Sequence, residues 1–121
     1  MDTVTYPEPR TVEFMAHYLI PIRVNTGSQG PLPARFAIQY TPTQVLLDGD
    51  GKEHHRSVGF LPPEEFIASL LLGIGKAYFN HNQFSKALRF FDKLISEHPR
   101  SQSAVTANDL RKICMSKGTG R

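Results

Sequence analysis

Apolar positions recur with a helical period over much of the C-terminal half. Phe66, Ile67, Leu70, Leu71, Ile74, Ala77 and Tyr78 follow one another at three- and four-residue steps, a wide apolar stripe that predicts a long helix. Pro62-Pro63-Glu64-Glu65 starts it, because proline is tolerated in a first turn and the two acids meet the positive end of the helix dipole. His81-Asn82-Gln83 breaks the rhythm. Phe84, Ala87, Leu88, Phe91, Leu94 and Ile95 then begin a second stripe, with Lys86, Arg89, Lys93 and Glu97 on the other faces. Helices joined by so short a turn must pack as an antiparallel hairpin. Pro99 closes the second. A weaker stripe through Ala104, Ala107, Leu110, Ile113 and Cys114 predicts a third helix over 102–116, with Gly118 placed to cap it and the last residues frayed.

The N-terminal half alternates between helical and strand-like patterns. After the turn signal Pro7-Glu8-Pro9, the spacing of Val12, Phe14, Met15 and Tyr18 predicts a helix over 10–18. Leu19 to Asn25 is short, β-branched and bounded by the polar stretch Thr26 to Gly30, so it reads as a strand. Residues 31–38, opened by proline, fit a short helix. Gln44-Val45-Leu46-Leu47-Asp48 is a near-continuous apolar run of the kind found in a buried strand. Gly49-Asp50-Gly51-Lys52 tolerates positive φ and predicts a hairpin turn, with 54–58 as the returning strand.

Composition narrows the classes that these elements can serve. With 121 residues, 40% apolar and 21% charged, the chain fits one modest domain or a small domain with an appendage. The net charge of +3 is spread along the sequence; its densest basic stretch, Lys52, His54, His55 and Arg56, is interrupted by Glu53. That is a solvated surface rather than a nucleic-acid footprint. The single cysteine, Cys114, allows no internal disulfide and no thiolate metal site. No stretch approaches the ~18 apolar residues of a membrane helix and the N-terminus lacks a signal-peptide pattern, so a cytoplasmic protein is expected.

Residues 6 to about 72 resemble the later part of the thioredoxin fold. Ile20-Pro21-Ile22-Arg23-Val24-Asn25 is similar to the strand ending the first half of such a domain. Phe36-Ala37-Ile38 with Thr41-Pro42-Thr43 is similar to the helix end and the proline loop facing the active site. Leu47 to Glu53 and Val58-Gly59-Phe60 are similar to the closing hairpin and the glycine after it. The resemblance implies a cis Thr41-Pro42 bond that turns residue 41 outward to pair with an extended peptide; the base rate for prolyl bonds points instead to trans. Thr41 and Pro42 are accordingly the expected peptide-binding residues.

Residues 71–99 resemble a variant tetratricopeptide repeat. With Pro99 as the proline that ends the repeat, Leu71, Ile74, Gly75, Tyr78, Ala87, Phe91 and Leu94 fall at its signature positions, Leu71 replacing the usual tryptophan and Leu94 the usual alanine. Gly75 and Ala87 then lie where the two helices approach closely. One repeat cannot bury its faces alone, so it must pack on the thioredoxin-like part, on the 102–116 helix or on a partner; a plain helical hairpin used only as core is the alternative.

The chemistry of thioredoxins needs a Cys-x-x-Cys motif at a helix start, where the dipole lowers the first thiol's pKa. The sequence has none. The resemblance places Met1 to Val4 just past the second cysteine, so the strand that would lie between those at 19–25 and 43–48 is expected to be missing. A weakened sheet, strand donation from another copy, or a start further upstream would each follow, because buried unpaired backbone groups cost about 1–3 kcal/mol apiece. Cys114, on the apolar stripe of the third helix, reads as a small buried hydrophobe.

Other chemistry finds little support. His17, His54, His55, His81 and His98 lack a spacing that converges on a metal, the adjacent pair in a strand faces opposite sides, and surface histidines are expected. Asp48, Asp50 and Glu53 lack the ligand spacing of a calcium loop, and Gly73-x-Gly75 lies inside a helix rather than after a strand. The expectation is therefore an α/β protein: an N-terminally truncated thioredoxin-like fold over 1–70, a helical hairpin plus one further helix over 71–117, and a frayed tail at 118–121. Its expected role is a non-catalytic interaction module without metal or cofactor. It would contact a protein or peptide rather than nucleic acid or membrane, with self-association through unpaired strand edges. The alternative is a fragment of an active oxidoreductase whose cysteines lie upstream.

Overall fold

The computed structural model describes residues 6–19 and 43–118. Among them run four helices and one two-stranded sheet: α1 (Pro9–Tyr18), β1 (Thr43–Leu47), β2 (Glu53–Val58), α2 (Pro63–Asn80), α3 (Phe84–Glu97) and α4 (Gln102–Gly118). The strand expected at 19–25, the short helix at 31–38, the Thr41-Pro42 bond and residues 119–121 of the tail lie outside the described residues. Gly118 is the last residue of α4.

Several helix boundaries have a local cause. Glu8 caps α1: its carboxylate accepts the amides of Arg10 and Thr11 at 3.0 and 3.2 Å, two donors that have no partner inside the first turn. Ser101 does the same for α4 through the amide of Ser103 at 3.1 Å. Between α2 and α3 the chain turns through Asn82 at φ 61°. There the amide of Gln83 bonds the carbonyl of Tyr78 at 2.9 Å and that of Asn82 bonds Phe79 at 3.0 Å. This is a Schellman ending, and asparagine is one of the few residues besides glycine that occupies its left-handed position.

The long apolar stripe expected of α2 proves to be more than a stripe. Every residue from Phe66 to Gly75 is buried, because α2 has neighbours on all sides: α1, the β1–β2 hairpin, α3 and α4. A helix that is apolar all round is a core helix. Two glycines set how close those neighbours come. A β-carbon on Gly73 would sit 2.9 Å from the Leu46 side chain and 3.0 Å from His55, both on the hairpin; one on Gly75 would sit 2.5 Å from the Phe91 ring of α3. Leu71, Ala87, Phe91 and Leu94 are fully enclosed around that second contact.

Other parts of the pattern need correcting. Leu46 faces α2, but Leu47, next in the strand's alternation, points away and is 41% exposed, so β1 is not the fully buried strand that its apolar run suggests. Ile113 is likewise exposed at 41%, whereas Ala107 and Cys114 hold the inner face of α4. Aromatic rings tie α1 to the hairpin of helices: Tyr18 stands edge-on to Phe90 at 5.6 Å, and Phe90 stacks on Tyr78 at 5.6 Å. Glu64 at the start of α2 joins two further elements, pairing with Arg10 of α1 and with Nδ1 of His98 after α3 at 2.9 Å.

Gly75→Ala is expected to destabilise the chain by about 1–3 kcal/mol, although alanine is worth about 1 kcal/mol more than glycine in a helix. Urea unfolding of Gly75→Ala, Phe91→Leu and the double variant checks this. The double variant should recover part of the loss, since the two positions share one contact.

Candidate functional site

A β-bulge in the hairpin assembles a polar cluster against α2. The register pairs Leu46 with His55 and Leu47 with Glu53, so His54 is an extra residue with no partner across the strand. A bulge of this kind bends the strand and interrupts its two-residue alternation. Both adjacent histidines consequently hydrogen-bond to side chains of α2, His54 to Asn80 and His55 to Ser69 and Lys76. The expectation that they face opposite sides fails for this reason. The expectation of surface histidines fails for His54, which is 7% exposed.

Asp48 is the hub. Its Oδ1 accepts the amides of Asp50 and Lys52 at 2.9 and 3.0 Å, which folds the Asp-Gly-Asp-Gly turn onto the side chain. Its Oδ2 accepts His54 Nε2 at 2.8 Å and His81 Nε2 at 3.2 Å. The hydrogen bond from His54 and those from the Lys52 and Asp50 amides hold the carboxyl well below the usual carboxylate range, and His81 adds to this against the opposing effect of burial. His54 is fixed at both ends, since the Asn80 amide donates to its Nδ1 at 2.9 Å. His81 is placed by the main chain: it is the C-cap of α2, and its amide bonds the carbonyls of Ala77 and Tyr78 at 3.2 and 3.1 Å.

Beside this cluster, His55 Nε2 donates to Ser69 Oγ at 2.9 Å and Lys76 Nζ donates to His55 Nδ1 at 3.3 Å. Burial, reinforced by the Lys76 charge and opposed by Glu53, lowers the His55 pKa from 6.5 to about 4. The imidazole is therefore neutral at pH 7.

The redox chemistry of the sequence-level resemblance finds no support in the lone thiol. Cys114 is enclosed in the core under α4, and burial, aided by the Asp92 charge, pushes its pKa up. A buried thiol with a raised pKa is a poor nucleophile. A family model described as a thioredoxin-like domain matches residues 9–73, more than half of the chain. The chain belongs to the thioredoxin-like family. Neither the curated proteins nor the solved structures gave a match.

The thioredoxin-like match ends inside α2, as does the boundary expected at residue 70, so this one helix is common to the thioredoxin-like part and the helices after it. Of the residues expected to act, Thr41 and Pro42 lie outside the described residues. Leu71, Ile74, Gly75 and Tyr78 lie on α2 and Ala87, Phe91 and Leu94 on α3, with Pro99 beyond its end. The structure brings the Gly75 and Phe91 pair into direct contact. Sequence reading missed the Asp48, His54, Asn80 and His81 cluster. The Asp-Gly-Asp-Gly turn was visible, but no sequence signal marks the bulge that swings His54 inward.

The depressed His55 pKa carries a pH dependence with a definite sign. Between 6.5 and about 4 the unfolded chain takes up a proton at this residue and the folded chain does not, so the stability it contributes is complete above pH 6.5 and is lost as the pH falls towards 4. At about 1.4 kcal/mol per pKa unit the loss is on the order of 3 kcal/mol. Unfolding free energies from denaturant titrations across that window for wild type and His55→Gln should diverge by this amount, the variant showing the flatter profile.

Proposed function

We propose that this thioredoxin-like chain is a non-catalytic protein-interaction module related to thiol-disulfide oxidoreductases. The reading rests on one observation: the sole cysteine is buried in the core with its thiol pKa raised, so the residues of this chain cannot run dithiol–disulfide exchange. Family membership supports the oxidoreductase relationship, and no helix among the described residues is long and apolar enough to cross a membrane.

Two surfaces would meet the partner, a protein or an extended peptide. One is the Thr41-Pro42 loop, by analogy with the proline loop of the family. The other is the helical extension, read as a variant tetratricopeptide repeat. The close approach of Phe91 to Gly75 supports that second reading. So do the exposed Val105, Ile113 and Met115 on α4, since a repeat face on which a neighbour stacks is apolar whereas a capping face is polar.

An insulin-disulfide reduction assay with dithiothreitol tests the non-catalytic half. The chain should leave the rate at that of dithiothreitol alone, and acceleration would overturn the reading. Titration with the isolated, reduced insulin B chain, an extended apolar peptide, tests the other half: saturable binding weakened by Thr41→Arg is expected, and its absence would remove the interaction role assigned to the loop. Cys114 should react with a thiol reagent only at the rate of unfolding, as stopped-flow labelling across a denaturant series would record.

A further inference from the structure

We propose that Asp48, His54 and His81 form a binding site for a divalent transition-metal ion of the zinc type, with the fourth coordination position open to solvent. The donor atoms of the three residues all lie within 4.8 Å of one another. Both imidazole Nε2 atoms already aim at a single carboxylate oxygen, at 2.8 and 3.2 Å. In a tetrahedral zinc site with bonds of about 2.0–2.2 Å, neighbouring ligand atoms stand roughly 3.3–3.5 Å apart. Widening the two contacts to Asp48 Oδ2 by roughly 0.2–0.6 Å would therefore open the cluster around an ion, exchanging two hydrogen bonds for three metal bonds.

The donor set selects the class of ion. Two imidazoles and one carboxylate suit zinc and its first-row neighbours; calcium and magnesium require oxygen ligands, and copper(I) prefers sulfur. The residues around the ligands are also of the right kind. Asp48 Oδ1 is pinned by two backbone amides, which leaves Oδ2 directed inward. His54 Nδ1 meets the Asn80 amide at 2.9 Å. With a metal on Nε2 the proton moves to Nδ1, and a half-turn of the Asn80 amide presents its oxygen as acceptor. Such an outer hydrogen bond fixes the ring of a ligating histidine.

Access is one-sided. The side chain of His54 is 1% exposed and that of Asp48 13%, whereas that of His81 is 47% exposed. The ion would enter past His81 and keep a water there as its fourth ligand, the arrangement of a three-ligand open site rather than a closed structural one. Bound in this way it would cross-link the hairpin turn, β2 and the end of α2.

Isothermal titration of the intact chain with zinc chloride, together with thermal unfolding in its presence, tests the site. One saturable equivalent per chain and a rise in melting temperature are expected, because an ion that binds only the folded state stabilises it by mass action. His81→Ala preserves the backbone cap, and it and Asp48→Asn should each weaken zinc binding by at least about tenfold, while His17→Ala and His98→Ala leave it unchanged. Circular dichroism establishes that the His81 variant is folded. Absence of saturable binding to wild type, or an affinity unaltered in folded His81→Ala, would overturn the site.

Discussion

The packing of α2 governs the structure. A helix buried on every side can have neighbours at contact distance only if its surface is cut away where they cross, and Gly73 and Gly75 make those cuts on different faces. Each glycine costs the helix about 1 kcal/mol in backbone freedom. What offsets that cost is enclosed apolar surface: Phe91 against one face, Leu46 and the Cβ and Cδ2 carbons of His55 against the other. The hairpin and the second helix are thus positioned by the same short stretch of α2, and a change at either glycine would be felt on one side of the helix and not directly on the other.

This shared helix also explains how the thioredoxin-like segment and the helices after it form one body. The family match ends within α2, yet the helix continues without a break to its Schellman ending at Asn82. Polar contacts reinforce the joint: Glu64, in the first turn of α2, reaches back to Arg10 and across to His98, and Ser101 donates to Glu65 at 2.8 Å. Arg10 and Glu64 are more than half exposed, so their pair is worth little on its own, whereas Ser101 is buried and the His98 side chain nearly so. Together these contacts fix where the ends of α1, α3 and α4 fall around the first turn of α2.

Much of this was legible because helical periodicity is a strong signal over long stretches. The stripes from Phe66 to Tyr78 and from Phe84 to Ile95 predicted α2 and α3, and His81-Asn82-Gln83 and Pro99 predicted their ends. The Gly-rich turn after Asp48 located the hairpin. Burial was less legible: nothing local distinguishes Leu46, which meets Gly73, from Leu47, which is exposed, and Ile113 lies on the same helical stripe as Cys114. The site was least legible of all. It joins a turn, a strand and a helix end across 33 residues between Asp48 and His81, and it depends on a bulge, a feature of pairing between strands rather than of either strand's own sequence.

That bulge gives β2 a phase as well as a position. Residues 53 and 55 both pair across the hairpin, so the strand counts His54 twice over, once as length and once as a change of side. A chain shortened by one residue at this point could still close a hairpin of the same pattern, with regular alternation restored. It would then carry only one histidine towards α2, and Asp48 and Asn80 would face each other without the ring that now connects them. The single irregular residue is what makes two consecutive side chains available to one helix.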